Sequence, residues 1–391
     1  MGPNAISALT LIDPLIKEAY NRTATFNEDP QFRYHWMLCR YGMEAEEGGE
    51  AKFGDLIKTV GATSLLDKGR SSCHRAKFLD ELIGIRPRDI AEFNKTMVHI
   101  DENEDGVLTS FADGTTAHAS AVVCCDGIKS VARSLVLGSD HPAVKPVFSG
   151  QYAYRGLFPR YQAEEIFGTE LVRNGSVFCG TNGYAVVYPV EQGRLINMVA
   201  DCHSSAQTWP HKEWIHPTTR DQMLQDFQGW GEPIRKMLQQ TSDMNQWAMF
   251  DSPDAPTYCK GRMCLMGDAA HASTPHQGAG AGMAFEDAYV LSSLLGTVED
   301  VDDLPDAFKT YDQLRRPRTQ RLVKTSREAG QMYELCLEGV GSDLSRVADE
   351  LDEWHEWIWK VDLPGDVERG KRMLKSMRKT RNHGSISSVI A

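Results

Sequence analysis

No apolar run in these 391 residues approaches the roughly 20 that a membrane-spanning helix needs. The opening, Met1-Gly2-Pro3-Asn4, has neither the basic region nor the apolar stretch of an export signal. Nine cysteines are scattered without a C-x-x-C pair or a regular spacing, which argues against a disulfide scaffold and against the common zinc modules. Cys124 and Cys125, side by side in an apolar run, read as small core residues. Three triplets match glycosylation sequons, at Asn21, Asn94 and Asn174, but without an export signal they carry no meaning. A reducing, cytoplasmic setting is the expectation. Basic charge is short as well: 42 Lys and Arg stand against 54 Asp and Glu, a formal net charge of −12. That balance argues against a protein that tracks nucleic-acid phosphates. One stretch opposes it, comprising Arg369, Lys371, Arg372, Lys375, Arg378, Lys379 and Arg381, and reads as a solvated terminal helix and tail. No G-x-S-x-G elbow exists, which sets aside an α/β-hydrolase.

What is present is ordinary in bulk: 41% hydrophobic and 25% charged residues suit one large or two interlocked globular domains. Residues 6–20 carry a helical stripe (Ile6, Leu9, Ile12, Ile16, Tyr20) broken at Pro14, and residues 76–92 read as a helix interrupted near Pro87. Val107–Phe111 and Thr115–Ala119 flank the turn Ala112-Asp113-Gly114 as a hairpin, and Ala121–Cys125 is a short apolar strand. Strands are expected at Tyr152–Phe158, Ser176–Cys179, Tyr184–Val190 and Leu195–Asp201, forming an antiparallel sheet. A helical stretch runs from Met223 to Leu238, followed by a second buried strand at Met263–Met266. Helices follow at Met283–Leu295 and Pro305–Leu335, the latter broken or kinked at Pro317. This layout predicts a mixed α/β domain over 1–150 and 251–300, split by a β-rich insertion at 151–250 and followed by a helical region at 301–391. A ligand held at the join suits it.

Two strands end in a carboxylate beside a glycine, at Asp126-Gly127 and at Gly267-Asp268. Ligands of open α/β sheets bind beyond the carboxyl ends of strands. A carboxylate there accepts hydrogen bonds from ribose or ribityl hydroxyls, and a glycine lets the backbone come close. Either dipeptide alone is as readily a turn. Beyond the second, the sequence runs on to Pro275-His276-Gln277-Gly278-Ala279-Gly280-Ala281-Gly282, where three glycines at alternate positions open a helix. Such a helix start favours an anionic or planar ligand, and a reduced flavin carries negative charge around N1 and its C2 carbonyl. His271 and His276 with Asp268 raise the question of a metal, but Pro275 breaks any helical presentation and none is expected.

The stretch from Gly267 to Ala288 resembles the GD motif of class A flavoprotein monooxygenases, the superfamily of para-hydroxybenzoate and salicylate hydroxylases. Cys125-Asp126-Gly127-Ile128-Lys129-Ser130 with Arg133 is similar to their DG motif, and Ser72-Cys73-His74-Arg75 to their flavin-contacting arginine segment. Arg315-Arg316-Pro317-Arg318 resembles the segment after the GD helix. The resemblance implies an α/β fold with an FAD-binding sheet domain, an inserted antiparallel-sheet substrate domain and C-terminal helices. It implies FAD contacts at Arg75, Asp126, Asp268, Pro275, Gly278, Gly280 and Ala281. It further implies NAD(P)H as reductant and O₂ as co-substrate, adding at flavin C4a to give the hydroperoxide that hydroxylates a phenolic ring.

Tyr152–Leu157 and Tyr184–Val190 resemble strands of the salicylate hydroxylase-like and fungal polyketide-dearomatising branch, and Asn245–Asp251 is similar to the same branch. There the resemblance gives Arg155 and Tyr188 the task of binding and orienting a phenolate. Arginine suits this because it stays charged, donates two parallel hydrogen bonds and lowers a phenol's pKa. On residue type alone, Arg155 paired with a carboxylate and Tyr188 as a plain sheet residue is the better reading. The implied partner is a small aromatic substrate, a salicylate-like phenolic acid first and an aromatic polyketide second, handled by a monomer or homodimer.

The family's opening unit is a strand, a G-x-G-x-x-G turn, a helix and a strand ending in an acidic residue; it holds the pyrophosphate and ribose. These residues do not include it, and Met1–Ile6 resembles the piece just after it. About fifty residues of a full-length relative are therefore expected to lie outside the sequence. Weak FAD binding is the corresponding expectation, with a remnant that binds ligand without catalysis as the alternative.

Overall fold

The computed structural model describes residues 1–45, 50–61, 70–87, 90–351 and 353–389, with 381–389 as backbone only. The side chain of Arg381 and residues 88 and 89 of the expected 76–92 helix lie outside the description. The chain opens with α1 (Pro3–Ile12) and α2 (Pro14–Thr23). Pro14 divides them because proline suits a first helical turn, and Asp13 caps α2 by accepting from the Leu15 amide at 2.8 Å. β1 (Ala24–Phe26), β2 (Met37–Tyr41), β3 (Leu56–Val60), β4 (Ser71–Cys73) and α3 (Arg75–Ile85) follow. The next three strands, β5 (Met97–Asn103), β6 (Gly106–Phe111) and β7 (Thr116–Ala119), form a meander that contains the expected hairpin. β8 (Val122–Cys124) then leads into α4 (Val131–Leu137). Cys124 is buried but Cys125 is exposed, against the expectation of two core cysteines: neighbouring strand residues point to opposite sides, and Cys125 lies past the strand's end.

The middle of the chain runs β9 (Val147–Pro159), α5 (Arg160–Phe167), α6 (Thr169–Val172), β10 (Ser176–Gly180), β11 (Gly183–Val190), β12 (Leu195–His203) and β13 (Ile215–Pro217). α7 (Arg220–Asp226), α8 (Glu232–Gln240) and β14 (Asn245–Asp251) complete it. The expected single helical stretch is two helices, because Gly229 takes φ +80° between them. The last part carries β15 (Cys259–Lys260), β16 (Met263–Leu265), α9 (Asp268–His271), α10 (Gly280–Leu295), α11 (Leu304–Tyr333), α12 (Leu344–Leu351), α13 (Glu356–Trp359) and α14 (Leu363–Val389). α11 is one helix of 30 residues that runs through Pro317 rather than breaking there.

The dominant layer is an eight-stranded sheet in the order β13-β14-β9-β12-β11-β10-β2-β3, antiparallel except for the parallel β10–β2 pair. Its membership reaches beyond 151–250, because β2 and β3 join from the first part of the chain. Alternation along the strands divides its faces. Ile196, Met198, Ala200 and Cys202 of β12 lie with Tyr154, Phe178 and Val187 under α5, α7 and α8. On the other face Cys39, Val177, Cys179 and Tyr184 meet α11, α12 and α13. A small sheet, β15-β16-β8 with β16 and β8 parallel, packs against α4, α10 and α11. The chain thus adopts the expected α/β fold with C-terminal helices.

Candidate active site

The parallel pair β8 and β16 brings the two strand ends side by side: Leu265 pairs with Cys124, and the Met266 amide donates to the Cys124 carbonyl at 3.0 Å. Asp126 and Asp268 therefore emerge at the same edge, both exposed. Their carboxylates differ. Asp126 accepts from the Ser130 hydroxyl at 2.6 Å and from the amides of Val131 and Ala132 at 2.8 and 3.1 Å, so it anchors the start of α4. No donor among the described residues reaches Asp268. Arg133, the arginine of the DG segment, is buried and ties the two ends together. Its guanidinium donates to the carbonyls of Ala143, Ala269, Ala270 and Pro253 at 2.6, 3.1, 2.5 and 2.7 Å.

Behind the glycine-rich turn, the Arg315–Arg318 segment closes a buried ion network onto α10. Arg315 contacts Glu286 and Asp287 at 2.8 Å each, and Arg318 holds Glu286 at 2.8 and 2.9 Å. Asn4 of α1 donates to Glu286 at 2.7 Å, while His271 of α9 meets Asp287 at 2.6 Å. Burial pushes the Asp287 carboxyl up, but His271 and Arg315 more than reverse this and hold it at about 2. Gly282 admits this arrangement: a Cβ there would press on Asn4 and Ala5, so α1 could not approach α10 so closely.

The turn Pro275–Gly278 faces the open half of the large sheet across a cavity of about 280 Å³. Its walls include Trp36, Met37, Val177, Tyr184, Val186, Tyr188 and Val199. The sheet register explains the grouping, since Val186 and Val199 pair directly and Tyr188 lies two residues along on the same face. Gly278, at φ +60°, also lines an adjoining space of about 60 Å³ with Ala281. Beyond Tyr188 and Cys73, which belong to both, lies a larger cleft of about 570 Å³ that holds Arg75 and Arg155. Arg155 is exposed and stands 5.1 Å from the Trp247 ring centre. Of the residues singled out by sequence, the structure thus brings Pro275, Gly278 and Tyr188 together, sets Ala281 in the adjoining space, and places Arg75 and Arg155 across Tyr188. Asp126 and Asp268 stand apart at the small sheet's edge. Gly280 opens α10, where a Cβ would lie 3.3 Å from the Ser273 hydroxyl.

A hydrogen-bonded chain that sequence reading missed runs from the cavity to the surface. The Tyr184 hydroxyl meets His276 Nδ1 at 2.6 Å, and His276 Nε2 meets Gln151 Oε1 at 2.8 Å. Gln151 Nε2 donates to Glu334 at 2.7 Å, and His203, 48% exposed at its side chain, lies 3.3 Å from the same carboxyl. Burial lowers the His276 pKa to about 3, so the ring is neutral. Beside Glu334, burial and that neighbour's charge hold the Asp201 carboxyl well above the usual range. The period of two that places Tyr184 on the face of Tyr188 was a usable signal; nothing local marks Gln151 or Glu334. Among the described residues, no three His, Cys, Asp or Glu side chains cluster as a metal site, and no helix is long and apolar enough to cross a membrane.

Paired strand ends, a glycine-opened helix and a sheet-walled aromatic cavity define an FAD-binding α/β enzyme. The family model described as "FAD binding domain" matches residues 85–326. The chain is 38% identical over 367 residues to the 6-methylsalicylate 1-monooxygenase of Aspergillus terreus, covering 93% of this chain and 80% of that one. It is 37% identical over 383 residues to a salicylate hydroxylase of Pseudomonas putida, covering 95% and 84%. A solved substrate complex of salicylate hydroxylase superposes with a TM-score of 0.85 at 35% identity, over 95% of this chain and 89% of that one. The chain belongs to the salicylate hydroxylase-like family of FAD-dependent monooxygenases.

Proposed function

We propose that this protein hydroxylates a one-ring phenolic acid of the salicylate class, with NAD(P)H as reductant and O₂ as oxidant, as a cytoplasmic monomer or homodimer. The observation that carries the reading is the cavity of about 280 Å³ between the Pro275–Gly278 turn and the apolar, tyrosine-bearing face of the large sheet. Relatives named for salicylate and 6-methylsalicylate support it, and nine free cysteines agree with a reducing compartment.

The residues present fit the cofactor. Asp268 offers an unengaged carboxylate for hydroxyl groups, Gly278 and Ala281 leave the backbone open beside the cavity, and the first turn of α10 favours negative charge. Arg75, Pro275 and Gly280 complete the contacts, with Asp126 joining from the start of α4. Bound and reduced, FAD supplies the oxygen-activating chemistry. The protein's own part is positional. Val177, Val186, Val199 and Trp36 exclude water from the ring. Arg155 and Tyr188 hold the phenolate, and Tyr184, donating to His276 Nδ1, keeps oxygen lone pairs free for a substrate proton. In the decarboxylative reaction one oxygen atom enters the ring, the other leaves as water, and the carboxylate leaves as CO₂ as NAD(P)H is oxidised. A second reading, hydroxylation of a larger aromatic polyketide, is favoured by the 570 Å³ cleft that adjoins at Cys73 and Tyr188.

The test supplies FAD, NADH or NADPH, and salicylate to the protein and follows catechol and CO₂. Substrate-dependent cofactor oxidation with matching catechol is expected. Oxidation that ignores salicylate would remove it as substrate, and salicylate binding without turnover would favour the remnant. Arg155→Ala and Tyr188→Phe are expected to slow turnover about 100-fold or more; near-normal rates would take both out of the mechanism.

A further inference from the structure

Arg70 is a buried cation that lines the 280 Å³ cavity, and among the described residues it has no counter-ion. It sits just before β4, whose Ser72 hydroxyl donates to the Pro189 carbonyl at 2.7 Å and so ties this strand to the end of β11. Arg70 is 8% exposed. Its guanidinium carbon stands 4.8 Å from the Tyr188 ring centre and 5.8 Å from that of Trp36. It passes over Gly175, where any Cβ would overlap Nη1, so the cradle needs glycine at that point. Among the described residues no carboxylate pairs with it and no hydrogen bond reaches it. Burial pulls its pKa below the ordinary value, and the groups that push back are the phenols of Tyr188 and Tyr20 rather than an acid.

Two aromatic faces offset part of the cost of burying this charge, but they leave the planar fork of N–H donors unused. A fork of that shape, already dehydrated and aimed into a cavity, matches a carboxylate in a paired, two-bond geometry. Arg155 is a poor competitor for the task, being exposed and across Tyr188 in the wider cleft.

We infer that Arg70 recognises the carboxylate of an aromatic acid in this cavity, which makes the acid group, and not the phenol alone, a determinant of substrate choice. The inference rests on the proposed function and narrows it. A ligand ring lies against Val177, Val186 and Val199, with its carboxylate turned toward Arg70 and Trp36. The same cation could instead meet an anionic part of the flavin, so the test must separate the two sources.

Calorimetric titration of the 391-residue protein, with and without FAD, compares salicylate with salicylamide, which keeps the ring and hydroxyl but lacks the charge. The wild type is expected to prefer salicylate about 10- to 100-fold, the worth of a charge-assisted pair. Arg70→Gln and Gly175→Ala, the second evicting the guanidinium without touching its charge, are expected to abolish the preference. Both should leave salicylamide and FAD affinities within about threefold, whereas Lys324→Met, on the exposed side of α11, should leave the preference in place. Salicylate should raise the melting temperature of the wild type but not of Arg70→Gln, a readout that guards against simple misfolding. Equal binding of the two ligands by the wild type overturns the inference while leaving the hydroxylase reading intact. Retained preference in both variants also overturns it. A parallel loss of FAD affinity in Arg70→Gln reassigns the cation to the cofactor. If neither aromatic binds at all, the proposed function falls together with the inference.

Discussion

At the scale of single residues, the direction of one hydrogen bond fixes several others. Glu334 needs a donor, so Gln151 turns its amide N–H there and its oxygen toward His276. A neutral His276 then carries its proton on Nε2 and must accept at Nδ1, which makes Tyr184 the donor. His276 shares its low basicity with His355, which burial holds at about 4 against an ordinary 6.5. Such histidines are neutral when folded, whereas the unfolded chain binds their protons below about pH 6.5. Each therefore contributes stability in full above that pH and loses it as the pH falls toward the folded value. Asp201, protonated when folded, works in the opposite sense, losing its contribution as the pH rises from about 4 toward its raised value. The net slope mixes the three, but a substitution isolates one. Among the described residues neither ring nitrogen of His355 has a partner, and the ring stacks on Trp359 at 5.1 Å, so phenylalanine suits the site. His355→Phe is expected to flatten the dependence of unfolding free energy on pH by about 1.4 kcal/mol per unit between roughly pH 6 and 4.5. Urea titrations at pH 7.5, 6 and 5 would read this; parallel curves for wild type and variant would refute it.

At the scale of elements, the motifs act as joints. Arg133 gives its guanidinium to four carbonyls, and a lysine ammonium cannot reach that pattern; Arg133→Lys is expected to cost at least about 2 kcal/mol. Arg315→Met leaves Asp287 with His271 and Glu286 with Arg318, but strips both of a fully buried charge partner. A loss of about 3 kcal/mol follows, against less than about 0.5 for Lys324→Met on the exposed side of the same helix. Denaturant titration distinguishes them, and equal midpoints would dissolve the clamp. This network also accounts for the continuous α11: anchors on both sides of Pro317 outweigh the lost backbone bond and the ring clash of a mid-helix proline, together about 3 kcal/mol. Of the break or kink expected at Pro317, the break is therefore absent. Elements with a local signature were legible in sequence: the Asp13-Pro14 helix junction, the hairpin over Ala112-Asp113-Gly114, the Gly278–Gly282 helix start, and the β9, β11 and β12 cores. What depended on distant partners was not. Arg70 over Gly175 and Gln151 against Glu334 join residues that no local pattern relates.

At the scale of the whole molecule, the question is whether the β-rich stretch 151–250 is a unit. We propose the boundaries at 150 and 250 as changes in texture rather than as lines of independent folding. β2 and β3 extend the large sheet past β10 through the parallel pair, so removing residues 1–150 leaves β10 as a bare edge. The same cut removes the first four residues of β9 and the Trp36, Met37 and Val60 side of the second core. Removing 301–391 strips Leu322, Met332 and Tyr333 from that face and exposes Tyr184 and Val177. A fragment of 147–251 would thus keep the core beneath α5, α7 and α8 but present its other face to water, an apolar patch of the kind that aggregates. The intact chain, by contrast, links that sheet to the small one through α10 and α11, which contribute to both cores. Unfolding of the 391-residue protein is therefore expected to be a single transition, with tryptophan fluorescence and far-ultraviolet circular dichroism coinciding across urea. The 147–251 fragment is expected to be insoluble or without cooperative unfolding. A soluble fragment that melts cooperatively, or two separated transitions in the whole chain, would show that the sheet folds on its own and that α10 and α11 only dock against it.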